Sequence, residues 1–466
     1  MYELTIELNT NNKIPLYEQI YNFIKNEIKN GNIPCKAKLP STRSLATHLA
    51  VSRSTVDLAY AQLVSEGYIE AEPYRGYYVS EITLLYDQGS SEKEAAKEKT
   101  VPKEKDGIDF SPWGIDLSSF PYNAWRKISR ALLSIDNKEL FAPCHYKGEY
   151  GLRLEISRYL YEARGVKCVP EHIILGAGNE YLLAMINQLF CTRPMIAMES
   201  PTYTQAFHVF RQNGNTIIPI KVDKNGMVVK ELMESDAKIA YVMPSHQFPT
   251  GVVMPIKRRL QLLEWAMNGT DRYIIEDDYD SEFRYLGKPI PALQSIDRNE
   301  KVIYMGTFSK AIAPSIRMSY MVLPQILVEQ FEKRTSFYSQ TVSKMDQMIV
   351  SRFMKEGYFE RHLNKMRAVY RNKHDLILSL LKECNGKISI SGENSGLHII
   401  LTVNNQMSEE KLIAKAKEEG IIIHGISQYY IDKKNVAKST VLIGFAGLSQ
   451  EEIKTGIAKI RKAWNI

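Results

Sequence analysis

Lys310 is the residue in this chain whose neighbours most clearly indicate covalent chemistry. It follows small hydroxyl residues in the segment Gly306-Thr307-Phe308-Ser309-Lys310, and Arg317 stands seven positions after it. This spacing is typical of a lysine whose amine forms a Schiff base. A carboxylate-rich stretch, Ile274-Ile275-Glu276-Asp277-Asp278-Tyr279-Asp280, comes shortly before it and begins as an apolar run that predicts a buried strand. Asp277 and Tyr279 share one face of such a strand, because side chains alternate with a period of two.

A scaffold that brings these segments together is predicted from Phe110 onward. Strand-like runs at 195–198, 239–243, 273–275 and 302–305 alternate with helical patterns, which indicates a parallel sheet with crossover helices. The candidate residues fall at the carboxyl ends of these runs, where open α/β sheets bind ligands. A glycine-rich turn, Gly176-Ala177-Gly178-Asn179, leads into an apolar helix predicted over 181–190 and offers backbone amides to an anion.

The combination of these parts matches the needs of pyridoxal 5′-phosphate (PLP). That cofactor requires a Schiff-base lysine, a phosphate cradle, a carboxylate on its pyridinium nitrogen, a phenol near O3′ and a ring that stacks on it. The chain supplies a candidate for each part. Taken singly, each residue also fits a surface, capping or core role, so the prediction depends on the ordered set.

The first eighty residues have a different pattern. Apolar residues at helical spacing predict a helix from Pro15 to Asn30, and two further helices open at Ser41 and Ser52. The side chains that the third helix is expected to turn inward are Val56, Ala59, Tyr60, Leu63 and Val64. Two alternating runs around the turn 73–76 predict a hairpin. Three helices followed by a hairpin make a winged helix-turn-helix.

The position of the charges supports DNA binding by this part. Residues 1–80 contain eight basic and eight acidic side chains, but no acid stands between Glu27 and Asp57. A helix-turn-helix presents the N-terminus of its second helix to the major groove. Arg53, Ser54 and Thr55 stand in that first turn, and Arg75 on the predicted wing is expected to enter a minor groove. Solvated surface charge is the alternative, above all for isolated lysines.

The rest of the composition sets limits on the class of protein. Residues 81–109 are polar, mixed in charge and without periodicity, which predicts a flexible linker. No signal segment and no apolar run of membrane length are found, so a cytoplasmic protein without membrane contact is expected. The five cysteines are scattered without a CxxC pair, which argues against disulfides and a metal site. A net charge of +7 permits a polyanionic partner without requiring one.

Four ordered blocks of the N-terminal part resemble the GntR-type winged helix of bacterial repressors. They are residues 15–20 (PLYEQI), 38–46 (KLPSTRSLA), 51–56 (VSRSTV) and 63–69 (LVSEGYI). The resemblance implies operator contacts from the positions matching Ser41, Arg43, Arg53, Ser54, Thr55 and Gly76.

The chain from about Phe110 resembles fold-type I aminotransferases, and both halves together resemble the MocR/GabR family of regulators. The implied fold class is α/β, with a winged helix-turn-helix over 1–80, a linker over 81–109 and a PLP-binding aminotransferase-like domain over 110–466. That domain is expected to combine a large part with a parallel-rich sheet and a smaller C-terminal part from about residue 330. By this resemblance Lys310 forms the internal aldimine, Asp277 pairs with the pyridinium nitrogen and Tyr279 hydrogen-bonds O3′. Tyr203 stacks on the ring, and the phosphate candidates are Gly178, Asn179, Thr307, Ser309 and Arg317.

The chain also departs from the aminotransferase pattern. Phe248-Pro249-Thr250-Gly251 stands where those enzymes show Asn-Pro-x-Gly, so the amide on O3′ is missing, and Gln247 and His246 are the candidates to replace it. No carboxylate-binding arginine stands in 442–448. Relatives that sense an amino acid use arginines where this chain has Gln205 and Gln428. A glutamine forms only neutral hydrogen bonds, so the effector is expected to lack a free carboxylate or to be held in another way. The effector contacts are therefore predicted at Gln205, Gln428 and His246.

These observations predict a PLP-dependent, DNA-binding transcriptional regulator. We expect a homodimer that binds double-stranded operator DNA, in which an amine-bearing effector displaces Lys310 and forms an external aldimine. Residual transaminase activity is compatible with this site, although a physiological enzyme is not expected. Two alternatives remain open, an active aminotransferase with an accessory DNA-binding domain and a regulator that senses PLP itself.

Overall fold

The computed structural model describes residues 14–81, 107–134, 138–285, 287, 290–384, 386–433 and 439–466, together with residues 6, 8 and 9. The chain divides into two compact units, Met1–Lys103 and Glu104–Ile466. None of the helices within these ranges is both long enough and apolar enough to cross a membrane.

The first unit contains a three-helix core and a two-stranded wing. Its elements are α1 (Leu16–Lys29), α2 (Thr42–His48), α3 (Arg53–Ser65), β1 (Ile69–Glu72) and β2 (Gly76–Val79). The two strands pair antiparallel. Ser41 and Ser52 precede α2 and α3, and each side chain accepts a hydrogen bond from the amide three residues later. These serine caps explain why both helices begin where the sequence predicted.

One predicted core residue of α3 lies at the surface. Val56, Ala59, Tyr60 and Leu63 are buried as expected, but Val64 is 36% exposed. Successive helical residues point about 100° apart, so the neighbour of Leu63 is rotated away from α1. The prediction that Val64 faces inward is therefore wrong.

The second unit alternates strands and helices. In chain order its strands are β3 (Ile108–Asp109), β4 (Ile173–Gly176), β5 (Ile196–Ser200), β6 (Ile217–Asp223), β7 (Gly226–Met227), β8 (Ile239–Val242), β9 (Tyr273–Asp278), β10 (Val302–Thr307), β11 (Ser319–Val322), β12 (Ile388–Ser391), β13 (His398–Val403), β14 (Ile421–Ile422), β15 (His424–Gly425) and β16 (Thr440–Gly444). Its helices are α4 (Tyr122–Leu133), α5 (Tyr150–Arg164), α6 (Asn179–Asn187), α7 (Thr204–Gln212), α8 (Val229–Met233), α9 (Ile256–Met267), α10 (Phe308–Ala311), α11 (Gln325–Thr335), α12 (Lys344–Lys355), α13 (Tyr358–Lys382), α14 (Glu409–Glu418) and α15 (Gln450–Trp464).

Within the described residues, eight strands form one sheet in the order β4-β11-β10-β9-β8-β5-β6-β7. The strands β10, β9, β8, β5 and β6 are parallel, whereas β11 and β7 run antiparallel to their neighbours. Alternate residues of β9 enter different cores, Ile275 on one face and Ile274 on the other. The strands are covered on both faces, as expected of a parallel sheet with crossover helices.

A smaller antiparallel sheet, in the order β12-β13-β16-β15, lies in the C-terminal part of this unit. Next to it, β3 pairs in parallel with β14. Ile108 and Asp109 were expected to belong to the linker, and this pairing shows that they belong to the folded unit, since their backbone completes a two-stranded ladder. Residues 82–106, most of the predicted linker, lie outside the described residues.

Candidate functional site

The carboxyl ends of β9 and β10 open into a cavity of about 220 Å³. It is lined by Trp113, Asn179, Glu180, Tyr203, Met243, Phe248, Asp277, Tyr279, Thr307, Ser309, Lys310, Pro314 and Arg317. The structure thus brings together every predicted cofactor residue except Gly178, which lies directly beside the Arg317 side chain.

Lys310 reaches the cavity from the short helix α10. Thr307 caps this helix, because its hydroxyl accepts a hydrogen bond from the Ser309 amide at 3.1 Å. The Lys310 amine donates to the carbonyl of Pro112 at 2.8 Å and lies 6.0 Å from the centre of the Trp113 ring. Burial lowers the pKa of the Lys310 ammonium to about 8, although Asp280 opposes the shift. A neutral amine, which is the nucleophilic form, is therefore accessible close to neutral pH.

Asp277 lies on the wall of the same cavity and is only 3% exposed. Its carboxylate accepts hydrogen bonds from the Tyr241 hydroxyl at 2.5 Å and from the Asn179 side chain at 3.2 Å. Burial raises the pKa of Asp277 to about 7 in spite of the bond from Tyr241. None of the ion pairs among the described residues includes Asp277, and the buried Oδ1 of Asn179 has no hydrogen-bond partner.

The two acids beside Asp277 have different surroundings. Asp278 forms an ion pair with Arg164 at 2.8 Å and accepts a hydrogen bond from Tyr304. Glu276 accepts bonds from the backbone amides of residues 293 and 294, at 2.7 and 2.9 Å. Both side chains point to the opposite face of β9 from Asp277, because strand side chains alternate. They link β9 to α5, to β10 and to the segment at residues 293–294, and leave the cavity to Asp277.

The Gly178 turn and Arg317 form the anion-binding candidate. The α6 helix begins at Asn179, so its first amides face this end of the cavity. Gly178 has a φ of +99°, and a Cβ there would lie 2.3 Å from a guanidinium nitrogen of Arg317. Arg317 pairs with Glu180 at 2.8 Å, and Glu180 also accepts from the Tyr203 hydroxyl at 3.1 Å. Although burial favours the neutral acid, hydrogen bonds from the backbone and Arg317 hold the pKa of Glu180 below its ordinary value.

Behind Tyr279 lies a buried group of polar side chains. The Nδ1 atom of His246 is 2.9 Å from both the Tyr279 hydroxyl and a carboxylate oxygen of Asp280. His398 packs close to His246, and burial lowers the pKa of the His398 ring to about 3. This group fixes the orientation of the Tyr279 phenol, whose pKa burial raises well above its ordinary value.

The structure does not bring the predicted effector residues to the cavity. His246 lies behind Tyr279, and Gln205 is exposed on α7. The Gln428 side chain donates to the carbonyl of Gly425. Gln247, the other candidate for the missing amide, is buried and bonds to the carbonyl of Pro201.

Several lining residues were missed by the sequence reasoning, foremost Trp113 and Phe248. Trp113 lies in the loop after β3, nearly two hundred positions before Lys310. Its position depends on the pairing of that loop with the C-terminal part, which no local pattern reveals. Phe248 was noticed only as a departure from the aminotransferase pattern, and that departure is the signal that could have placed it in the cavity.

The predicted DNA-contacting residues lie on the surface of the first unit. Ser41 and Arg43 at the start of α2, and Arg53 and Ser54 at the start of α3, are exposed. The Ser52 hydroxyl lies 2.8 Å from that of Ser54 and 2.7 Å from that of Thr55, so this turn is internally ordered.

The ion pairs of the arginines on this surface are weak. Arg53 lies 3.5 Å from Asp57, and Arg75 on the wing lies 3.1 Å from Glu72, both with exposed side chains. Exposed pairs of this kind contribute little stability, so the guanidinium groups are available to another partner. Gly76 has a φ of +109°, a conformation that favours glycine at the end of the wing turn.

Both units match families of known proteins. Residues 16–79 match the family described as bacterial regulatory proteins, gntR family, and residues 117–460 match aminotransferase class I and II. The chain is 42% identical to the uncharacterized HTH-type transcriptional regulator YdeL of Bacillus subtilis (strain 168) over 467 residues, which cover the whole of both chains. It is 28% identical to the probable rhizopine catabolism regulatory protein MocR of Rhizobium meliloti, over 97% of this chain and 94% of that protein. The chain belongs to the MocR-like family of HTH-type transcriptional regulators.

Among solved structures, this MocR-like regulator is similar to a kynurenine aminotransferase of Pyrococcus horikoshii. The TM-score is 0.69 and the identity 26%, over 77% of this chain and 91% of that chain. The predicted fold class, a GntR-type winged helix joined to a fold-type I aminotransferase fold, is confirmed.

Proposed function

We propose that this MocR-like regulator binds PLP through Lys310, and that a primary amine which competes with Lys310 changes its binding to operator DNA. The observation that carries the proposal is Asp277, a buried carboxylate on the cavity wall without a cationic partner among the described residues. A buried carboxylate is costly unless it is paired. The protonated ring nitrogen of PLP is the partner that would compensate it.

The other residues of the cavity fit the remaining parts of the cofactor. Arg317, Ser309, Thr307 and the first amides of α6 would hold the phosphate, which then competes with Glu180 for the Arg317 guanidinium. The Asn179 side-chain amide donates to the Asp277 carboxylate at 3.2 Å and would help to hold that carboxylate toward the ring nitrogen. Tyr203 offers its ring as a cover. When bound, PLP supplies an electrophilic carbonyl carbon and an electron-withdrawing ring.

Two side chains control the protons of this site. The Lys310 amine becomes nucleophilic only after it has lost its proton, and its lowered pKa of about 8 makes this loss easy, so Lys310 would be the residue that holds the cofactor. The Tyr279 hydroxyl, oriented by His246 and Asp280, would offer a fixed hydrogen bond to a polar group of the bound cofactor.

The output of the proposed sensor is the winged helix of the first unit. Arg43, Arg53 and Arg75 would contact phosphates and groove edges, while the amides at the start of α3 face the backbone of the duplex. Two such winged helices in a homodimer would contact two half-sites of an operator.

The experiment compares Lys310→Ala with Lys257→Ala, which removes an exposed lysine of α9. The wild-type protein and K257A should show the absorption band of lysine-linked PLP, and K310A should not. Identical spectra in K310A and the wild type would contradict the site. Duplexes selected from random DNA by the wild-type protein should then bind with an affinity that changes when a competing amine is added to K257A but not to K310A.

A further inference from the structure

The wall of the cavity next to the Lys310 amine is aromatic. The Trp113 ring lies 5.2 Å from the Phe248 ring and 5.9 Å from the Tyr203 ring, centre to centre. Phe248 in turn meets Tyr429 edge-on at 5.0 Å. The amine of an incoming effector must reach the position of the Lys310 amine, so the group attached to that amine meets this wall.

The loop that carries Trp113 is held firmly in place. The amide of Gly444 donates to the carbonyl of Phe110 at 2.7 Å, and the amide of Phe110 donates to the carbonyl of Ile422 at 2.9 Å. A Cβ on Gly444 would lie 2.2 Å from the carbonyl oxygen of Ser111, so the two backbones are in contact. Trp113 is therefore presented by a fixed backbone, although 37% of its surface is exposed.

The basic side chains of the cavity are not available to bind an effector carboxylate. Among the described residues that line it, the basic side chains are Lys310 and Arg317. Arg317 pairs with Glu180, and Lys310 is the group that the effector replaces. An effector carboxylate beside Trp113 and Phe248 would lose its water without gaining a cation, which is unfavourable. The nearby Glu180 carboxylate would also repel it.

We propose that the effector of this site is a primary amine carried on an aromatic or other bulky apolar group without a carboxylate, and that Trp113 and Phe248 select it. This inference rests on the proposed binding of PLP to Lys310. The ring of such an amine packs against aromatic faces, where aromatic pairs add to the gain from burial. A small amine lacks that gain, and an amino acid adds a charge that the wall cannot compensate.

The test is a spectral titration of the PLP-loaded full-length protein with three probes. Phenethylamine carries a ring, phenylalanine is the same molecule with a carboxylate, and ethylamine has neither. The half-maximal concentration of phenethylamine should be at least about tenfold lower than that of ethylamine. Phenylalanine should need a higher concentration than phenethylamine. An equal or stronger response to phenylalanine would overturn the proposal.

Variants identify the wall as the cause of the preference. Trp113→Ala should reduce the ratio of the half-maximal concentrations of ethylamine and phenethylamine to near one, whereas Trp113→Phe should preserve most of that ratio. Phe248→Leu should reduce it partly and provides a second test if W113A does not fold. Tyr122→Ala, which removes an exposed ring of α4, is the control and should keep the wild-type ratio. A preference that persists in both W113A and F248L would contradict the assignment.

The failure of this inference differs from the failure of the proposed function. If the wild-type protein shows the lysine-linked band and K310A does not, but the amines act without preference for a ring, only the effector class is wrong. If the wild-type protein shows no such band, or K310A retains it, the cofactor site is wrong and the effector class falls with it.

Discussion

Replacing Asp277 by asparagine should stabilise the cofactor-free protein and weaken its hold on PLP. Burial raises the pKa of this carboxyl from an ordinary value of 3.8 to about 7. Each unit of difference between the pKa of a group in the folded chain and its pKa in the unfolded chain corresponds to about 1.4 kcal/mol. Keeping Asp277 ionised in the folded, cofactor-free chain therefore costs on the order of 4 kcal/mol.

The sign of the pH dependence follows from the raised pKa. Between about pH 4 and 7 the folded carboxyl keeps its proton while the unfolded chain has released it, so the free energy of unfolding falls as the pH rises. Below pH 4 both states are protonated and the penalty is absent. D277N should therefore equal the wild type in stability at pH 4 and exceed it by about 2–4 kcal/mol at pH 8.

The asparagine can be satisfied by the two side chains that now bond to Asp277. Its carbonyl can accept from the Tyr241 hydroxyl, as the carboxylate does. Its amide can donate to the Oδ1 atom of Asn179 once the Asn179 side-chain amide has turned over, because that side chain now directs its Nδ2 donor at the Asp277 carboxylate. For PLP the effect reverses, because asparagine is neutral and cannot compensate the charge of a protonated ring nitrogen. We expect at least about a tenfold loss of affinity, since breaking a buried charge pair costs several kcal/mol.

Urea denaturation of the cofactor-free protein at pH 4 and pH 8 measures the stability, and spectral titration with PLP measures the affinity. Tryptophan fluorescence reports on the second unit, because Trp113, Trp125, Trp265 and Trp464 all lie there. Glu264→Gln, an exposed change on α9, is the control for loss of one negative charge. If D277N were less stable than the wild type at pH 8, or bound PLP equally well, the reasoning about Asp277 would be refuted.

Three further predictions concern Lys310, Asp278 and Arg53. The rate of PLP attachment, measured by stopped-flow absorbance, should rise with pH through about 8, because the lowered pKa of Lys310 sets the fraction of neutral amine. A rate that stays constant between about pH 6.5 and 9 would contradict this role of the Lys310 pKa. Asp278→Asn leaves the buried Arg164 without its carboxylate partner and should cost about 3–5 kcal/mol in urea denaturation, whereas breaking the exposed pair of Lys454 and Glu451 should cost under about 1 kcal/mol. Arg53→Ala should weaken duplex binding about tenfold and reduce the slope of log affinity against log salt concentration by about one, as measured by fluorescence anisotropy. Lys230→Ala, an exposed change on α8, is the control and should leave both the affinity and the slope unchanged.

The sequence predicted best what local spacing determines. The serine caps of α2 and α3 fix where those helices begin, and the carboxyl ends of β9 and β10 bring Asp277 near Lys310 because neighbouring parallel strands end at one edge. Strand alternation predicted that Asp277 and Tyr279 would share a face, and both line the cavity.

What depends on distant contacts could not be read in this way. Trp113 reaches Lys310 only because its loop pairs with β14 and β16, which lie more than three hundred residues later. His246 was predicted to contact the effector directly, but the Asp280 carboxylate holds the His246 ring behind Tyr279. Ile108 and Asp109 follow a polar stretch without periodicity and were assigned to the linker, and only their partner strand shows that they are part of the fold.

The opposite directions of Asp277 and Asp278 have a consequence for the evolution of this family. One peptide unit separates a carboxylate that lines the cavity from one that Arg164 of α5 neutralises on the other face of β9. A duplicated copy of the gene can therefore lose the first acid and keep a folded second unit, but it cannot lose the second so easily. Descendants in which the cavity has no ligand should thus retain the acid at position 278 and its arginine partner long after position 277 has begun to vary.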